Sequence, residues 1–322
     1  MARPDLPGTI IEFQHQFPDQ RACAEYLFAS RWPEGYRCPR CRCNATTELP
    51  RRRVWQCTVC RYQVSVTAGT VLHGTRTPLT LWFWAAYLMT TATQGISAVQ
   101  LQRQLGIERH ETVWVILHKL RRAMVNPERA SLTGAVEVDE CFVGGHEAGR
   151  RGGRLLKGSK MLVVVAVEVR GAGSGRVRTQ VIDGASADTL CGFVTATVAA
   201  GATVHTDAWQ GYKRLARLGF DHQLRSQRAS RVLGDDPSEI LPRVHRVISL
   251  IKTWLQGTHR GVSEQHLQVY LDEFTFRFNR RRTPMAAFQT LLGLQANQAP
   301  TTYDQIFDKD RGTTWLPAEL TG

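Results

Sequence analysis

The sequence has no apolar run long enough to cross a bilayer. Its longest, Leu81–Met89 (LWFWAAYLM), falls well short of the ~20 residues a spanning helix needs. That stretch is expected to be a buried core helix, and no membrane partner is expected. The opening MARPDLPGTIIEF lacks a basic segment followed by an apolar stretch and a small-residue cleavage site, so the chain is expected in the cytoplasm. Internal repeats and low-complexity tracts are also missing. Acidic residues are in deficit, with 28 Asp and Glu against 41 Lys and Arg, for a net charge of +13. Such a field attracts a polyanion, so nucleic acid is the expected partner and the nucleoid the expected place of work.

A length of 322 residues suits a catalytic domain with one or two small modules. Eight cysteines in a reducing compartment read as metal ligands wherever they are closely paired. Cys38 and Cys41 form one such pair, and Cys57 and Cys60 another, in the segment CPRCRCNATTELPRRRVWQCTVC, which has too few apolar residues to fold around its own core. Two knuckles offer four thiolates to a tetrahedral ion, so a structural Zn²⁺ with no open position is expected. Cys43 competes with Cys41 as a donor, but Cys38 and Cys41 repeat the two-residue gap of the second pair. Arg37, Arg40, Arg42, Arg51, Arg52 and Arg53 crowd the same module. A charge run is most often a solvated face, yet six arginines on a metal-stapled module point to phosphate contacts.

Beyond this module the apolar spacing turns helical. Ser97–Leu105, a turn at Gly106–Ile107, and Arg109–Met124 predict a helix-turn-helix supported by Leu81–Thr91. Its second helix would present Arg109, with His110, Thr112 and Lys119, to DNA. After Gly134 the period becomes that of strands: AVEVDECFV, MLVVVAVEV and RVRTQVIDG. There follow a helix (SADTLCGFVTATVAA), a strand (TVHTDAW), a helix near Gly211–Leu218, a short strand at Phe220–Arg225, and helices over about Glu239–Leu255 and Ser263–Arg280.

Alternation along AVEVDECFV puts Asp139 on one face with Glu137 and Cys141 and turns Glu140 away. Asp207 closes the strand Ala202–Thr206, at the edge where open sheets place their ligands. In this order of elements the two strands are expected side by side. Each acid alone is most often a cap or loop residue. Together, on a basic chain, they are expected to hold divalent metal through hard oxygen ligands, which is a site for phosphodiester chemistry.

The blocks VDECFVGG, VHTDAWQGY and LPRVHRVISLIKTWLQGTHRGVSEQHLQVYLDEFTFRFNRR resemble the core of zinc-ribbon insertion-sequence transposases, over nearly the whole chain. The resemblance implies an α/β, RNase H-like mixed five-stranded sheet of the DDE type flanked by helices, preceded by the zinc ribbon and the helix-turn-helix. It implies a third metal-site position at His245 and a lysine two turns later, Lys252. Seven residues return to nearly the same helix face, which suits that pairing. Many relatives of the wider superfamily carry Glu where this chain has His, and imidazole is a softer ligand without charge. In the two-metal chemistry that the resemblance implies, a weaker or water-mediated second metal site is therefore expected, with Mn²⁺ favoured over Mg²⁺. Glu239 is the rival ligand, with a helix-dipole role as its plainer use. Lys252 is expected to grip a phosphate. Trp209, Tyr212 and Trp254 could stack on unpaired bases, though core packing is the preferred reading. The Gly- and Arg-rich stretch Gly144–Lys160, with Arg151, Arg154 and Lys157, is expected to contact DNA.

The expected division is 1–72 for the N-terminal segment and ribbon, 73–130 for the helix-turn-helix region, 131–295 for the catalytic domain and 296–322 for a tail. The implied activity is binding of terminal inverted repeats in double-stranded DNA, cleavage at the 3′ ends, and transfer of those ends to target DNA by a homodimer in the DNA complex. The alternatives are a structure-specific nuclease and a catalytically inactive DNA-binding regulator.

Overall fold

The computed structural model describes residues 7–52, 54–126, 129–144, 160–225, 240–297 and 306, with backbone alone at 51 and 294–297. The chain divides into two compact units, 1–126 with 280–310 and 127–279 with 311–322.

The first unit opens with α1 (Ile10–Gln16) and α2 (Gln20–Arg31). Thr9 and Asp19 cap them, accepting the N–H groups of Glu12 and Ala22. A three-stranded antiparallel sheet follows, β1 (Thr46–Leu49), β2 (Val54–Cys57) and β3 (Gln63–Val64). Then come α3 (Leu79–Thr91), α4 (Ala98–Leu105) and α5 (His110–Ala123). Ser97 caps α4, and Gly106 ends it at φ 61°, a left-handed turn that glycine adopts without steric cost. The apolar run read as a core helix is α3, whose Trp82, Phe83, Ala85, Ala86 and Met89 are buried.

The helix Pro284–Asn297 packs on α2, α3 and α5. Phe288 meets Phe13, Phe17, Phe83 and Tyr87 in one aromatic cluster. The expected boundary at 295 thus differs from the compact units, which part at Arg280 because the apolar side of this helix is spent on the first unit's core.

The second unit is built on a five-stranded mixed sheet. Its strands are β4 (Ala135–Gly144), β5 (Lys160–Arg170), β6 (Gly173–Ile182), β7 (Thr203–Thr206) and β8 (Asp221–Leu224). Their spatial order is β6-β5-β4-β7-β8; the first three are antiparallel, and β7 and β8 run parallel to β4. One face carries Cys141, Val143, Val163 and Val165 against α7 (Pro242–Trp254) and α8 (Leu267–Asn279). The other carries Val136, Val138, Leu162 and Val164 against α6 (Ala187–Thr197) and Tyr212. Coverage on both sides explains the unbroken apolar run MLVVVAV of β5. The helix expected near 211–218 is two 3₁₀ turns, Gln210–Tyr212 and Leu215–Leu218, ended by Gly219 at φ 88°.

At the turn end of the β5–β6 hairpin, Glu168 is 1% exposed. It accepts the N–H groups of Thr133 and Arg176, each at 3.0 Å, and an ion pair from the Arg176 guanidinium. Burial works to raise this carboxyl, but the Arg176 side chain and these N–H groups outweigh it and hold it at about 2. A depressed carboxylate contributes stability that is complete above its unfolded value near 4.5 and is lost as pH falls toward 2. Glu168→Gln is expected to lower stability at pH 7 by on the order of 3 kcal/mol. Urea unfolding midpoints between pH 7 and pH 2 check this: the two proteins should differ most at pH 7, by roughly half as much at pH 3, and converge toward pH 2. Equal acid sensitivity in both would remove Glu168 from the account.

Candidate active site and metal centre

Cys38, Cys41, Cys57 and Cys60 bring their sulfurs to within 4.8 Å of one another. Among the described residues no other group of three or more His, Cys, Asp or Glu is drawn so close. The two knuckles have the same build. Arg42 N–H donates to Cys38 O at 2.9 Å, and Arg61 N–H to Cys57 O at 3.1 Å. Cys38 N–H reaches Cys43 O, and Cys57 N–H reaches Tyr62 O, both at 2.9 Å. Arg42 and Arg61 each sit at φ 61°, the left-handed position that closes such a loop. Cys43 lies outside the cluster, its Sγ facing the N–H of Ala45 at 3.4 Å, so the competing donor is set aside.

The donor set fits a dication. Burial acts to raise the Cys38 thiol, but the N–H groups of Cys41 and Arg40 outweigh it and bring it down to about 6. The Cys60 N–H, against burial, lowers Cys57. At Cys41 the N–H of Cys43 lowers the thiol, yet Cys60, Cys57 and Cys38 around it push it up to about 12. Four sulfurs at this spacing do not all ionise unless a cation joins them.

In the second unit, β4 and β7 pair in parallel with Glu137 opposite His205. Asp139 lies two residues past Glu137 within β4, and Asp207 two past His205, just beyond the end of β7, so that continued alternation puts both on one side of the sheet. Asp139 is half-buried; its Oδ1 accepts the Glu140 N–H at 2.9 Å, and its Oδ2 lies 3.2 Å from Nε2 of His245 on α7. Asp207 is also half-buried, with Oδ1 accepting the Trp209 N–H at 2.9 Å. Of the three expected ligands, Asp139 and His245 are in contact, while Asp207 shares their side of the sheet by alternation without joining them in a cluster as close as the cysteines. Lys252 is exposed on the same helix, near enough to Cys141 to favour its thiolate, although burial pushes that thiol up to about 12.

Glu140 points to the opposite face, as alternation requires, and accepts the Tyr212 hydroxyl at 2.8 Å. Tyr212 is fully buried; burial first, then Glu140, Asp139 and Asp207, raise its phenol well above the ordinary value. Trp254 is also buried, and Trp209 donates its indole N–H to Ala185 O at 3.0 Å, so these rings serve packing. Gly211 is required here, since a Cβ would fall 2.8 Å from Leu190 and 2.9 Å from Trp209.

Sequence reasoning passed over Glu137. It is 3% exposed, and its Oε2 accepts the N–H groups of Arg243 and Val244 at 2.7 and 2.9 Å. Its Oε1 takes the Arg243 guanidinium at 3.2 Å. The signal available in the sequence was the start of α7, where apolar Leu241 stands in the capping position ahead of Pro242.

Of the expected DNA contacts, Arg52 is exposed and lines a cleft of about 560 Å³ with Arg21, Arg76 and Trp55. Arg109 and His110 are exposed at the start of α5, while Lys119 is half-buried, its ammonium lowered by burial. Arg53, Arg151, Arg154, Lys157 and Glu239, with the side chain of Arg51, lie outside the described residues.

Residues 131–279 match the family described as ISXO2-like transposase domain. Residues 18–63 match the transposase zinc-ribbon domain, in agreement with the cysteine cluster. The chain is also similar to an uncharacterized protein in transposable element ISH50 of Halobacterium salinarum, 29% identical over 293 residues, which is 86% of this chain and 97% of that protein. Together these similarities support a transposase.

A left-handed L-residue costs about 1–2 kcal/mol, part of which glycine's looser unfolded chain takes back. Arg42→Gly or Arg61→Gly is therefore expected to stabilise the zinc-loaded protein by about 0.5–1 kcal/mol. Thermal unfolding with metal content monitored checks this, and a fall in stability would mean that the arginine side chains hold the knuckles.

Proposed function

We propose that this chain is a DNA transposase that binds the terminal inverted repeats of its element, cleaves at the 3′ ends and joins them to target DNA. The reading rests on His245 standing 3.2 Å from Asp139 of β4, and on Asp207 following the adjacent parallel strand β7, whose register with β4 points it to the same side of the sheet. The alternating apolar strands, the sheet order and the transposase-domain match support assigning the second unit to the RNase H-like class, with the first unit as the DNA-binding part.

In this reading Asp139, Asp207 and His245 would hold Mg²⁺ or Mn²⁺. A divalent ion there supplies charge compensation at phosphorus and makes an attacking oxygen more acidic. Asp139 directs Oδ2 toward His245 while its other oxygen is engaged by backbone, which fixes the carboxylate plane. Asp207 is oriented in the same way by the Trp209 N–H. Lys252, two turns beyond His245, faces the phosphate and neutralises a non-bridging oxygen. Cleavage and joining are both in-line attacks on phosphorus, so one set of groups serves each step.

DNA is held by the first unit. Arg52, with Arg21 and Arg76 around the cleft, contacts phosphates, and α4 with α5 act as a helix-turn-helix that presents Arg109 and His110 to the duplex. Arg51, Arg53, Arg151, Arg154 and Lys157 add to the phosphate contacts. Two ends are processed together, which calls for a homodimer in the DNA complex, working in the cytoplasm at the nucleoid.

The test is a strand-transfer assay on DNA carrying the element's ends. Asp139→Ala and Asp207→Ala are expected to lower cleavage by about a hundredfold or more while DNA affinity and zinc content stay intact. The wild type is expected to cleave better in Mn²⁺ than in Mg²⁺. Equal cleavage in both metals, unchanged by His245→Ala, would remove His245 from the site, and cleavage without any joining would replace the transposase with a nuclease.

A further inference from the structure

We propose that Glu137 is a positioning residue for the metal site: its buried carboxylate docks the first turn of α7 onto β4 and thereby sets His245 against Asp139. The proposal rests on Asp139, Asp207 and His245 being the metal ligands.

A helix leaves its first N–H groups without partners, and a side chain at the capping position normally takes them. Leu241 at that position makes no such bond, and Pro242 at the start of α7 has no N–H. The next two groups, on Arg243 and Val244, both donate to Glu137 Oε2. The cap therefore comes from a strand more than a hundred residues earlier in the chain. The Arg243 guanidinium also reaches Glu137 Oε1, at 3.2 Å, so both carboxylate oxygens are engaged by this one helical turn. Arg243 also donates to Gly171 O at 2.7 Å, which ties the same helical turn to the β5–β6 hairpin.

His245 is the residue after Val244, and Asp139 lies two residues after Glu137 on the same face of β4. Two contacts between one strand and one helical turn, Glu137 to Arg243 and Val244 and Asp139 to His245, fix both the rotation and the axial position of α7. An apolar cap would keep the helix on the sheet through Val244, Val247 and Ile248 but would leave its register free. A buried, charged carboxylate is a costly way to gain stability alone. Its bonds are directional, and direction is what a ligand such as His245 requires.

The experiment is a titration of the full-length, zinc-loaded protein with Mn²⁺, following the loss of the free-ion electron paramagnetic resonance signal, with no DNA and no turnover. Wild type, D139A, H245A, E137Q and the double variant H245A/E137Q are compared at a temperature where each is folded by circular dichroism. E137Q is expected to weaken Mn²⁺ binding about tenfold, as losing a group that orients a ligand does. In the H245A background E137Q should add nothing, because Glu137 acts through His245. A purely structural role would lower the melting temperature in both backgrounds and leave Mn²⁺ affinity where it was, and that result overturns the proposal. Additive losses of affinity in the double variant overturn it as well. If D139A binds Mn²⁺ as the wild type does, the metal site itself is misassigned, a different failure that D139A alone reveals. Should E137Q not fold, Arg243→Ala carries the same comparison, with a smaller loss expected because both backbone bonds to Glu137 remain.

Discussion

Two strands can run side by side in the same direction only if the chain crosses over between them. Here β5, β6 and α6 make that crossing, and β7 returns parallel to β4 with Glu137 opposite His205. Side chains alternate faces along both strands, so this one register, carried past Thr206, puts Asp207 on the side of the sheet that bears Asp139. A slip of one residue in β7 would send Asp207 to the α6 side, where Tyr212 and Leu190 fill the core. The apolar alternation Val136, Val138 and Val204 is what forbids that slip.

The two buried carboxylates of the second unit answer one problem in one way. Glu137 and Glu168 each accept two backbone N–H groups and an arginine guanidinium. An ion taken out of water must recover its hydration from fixed donors, and both sites supply them. Glu168 thereby closes the turn end of a hairpin, whereas Glu137 ties a helix to a strand beside the proposed metal site. The same chemistry serves tertiary structure at the first and the approach of His245 to Asp139 at the second.

The ribbon is held differently. Its strands are two to four residues long, and its apolar contacts are those of Phe28, Trp32, Tyr36 and Trp55 on α2 and around it. A module with so small a core depends on its metal, because the crowded thiols oppose one another until a cation is shared. Arg31 fastens the module to α2 by donating to the carbonyl oxygens of Ser65 and Val66. The basic surface is thus carried on a rigid support.

Much of this was legible in the sequence wherever a single local rule was enough. The two-residue cysteine gaps gave the four ligands, the period-two stretches gave the strands, and alternation alone separated Asp139 from Glu140. The site was less legible, because it is made by pairings between distant segments. Leu241 ahead of Pro242 signals that the helix lacks a cap of its own but not that Glu137 supplies it, and nothing near Pro284 says that its helix packs against Phe13 and Phe83. The sequence by itself determined element types, ligand spacing and the sign of the charge, since these depend on neighbours along the chain. Only the tertiary structure decided strand register, the docking of α7 and the compact unit that claims each helix. Those depend on which buried donors and apolar faces find one another across a hundred residues of chain, and local periodicity carries no information about the partner.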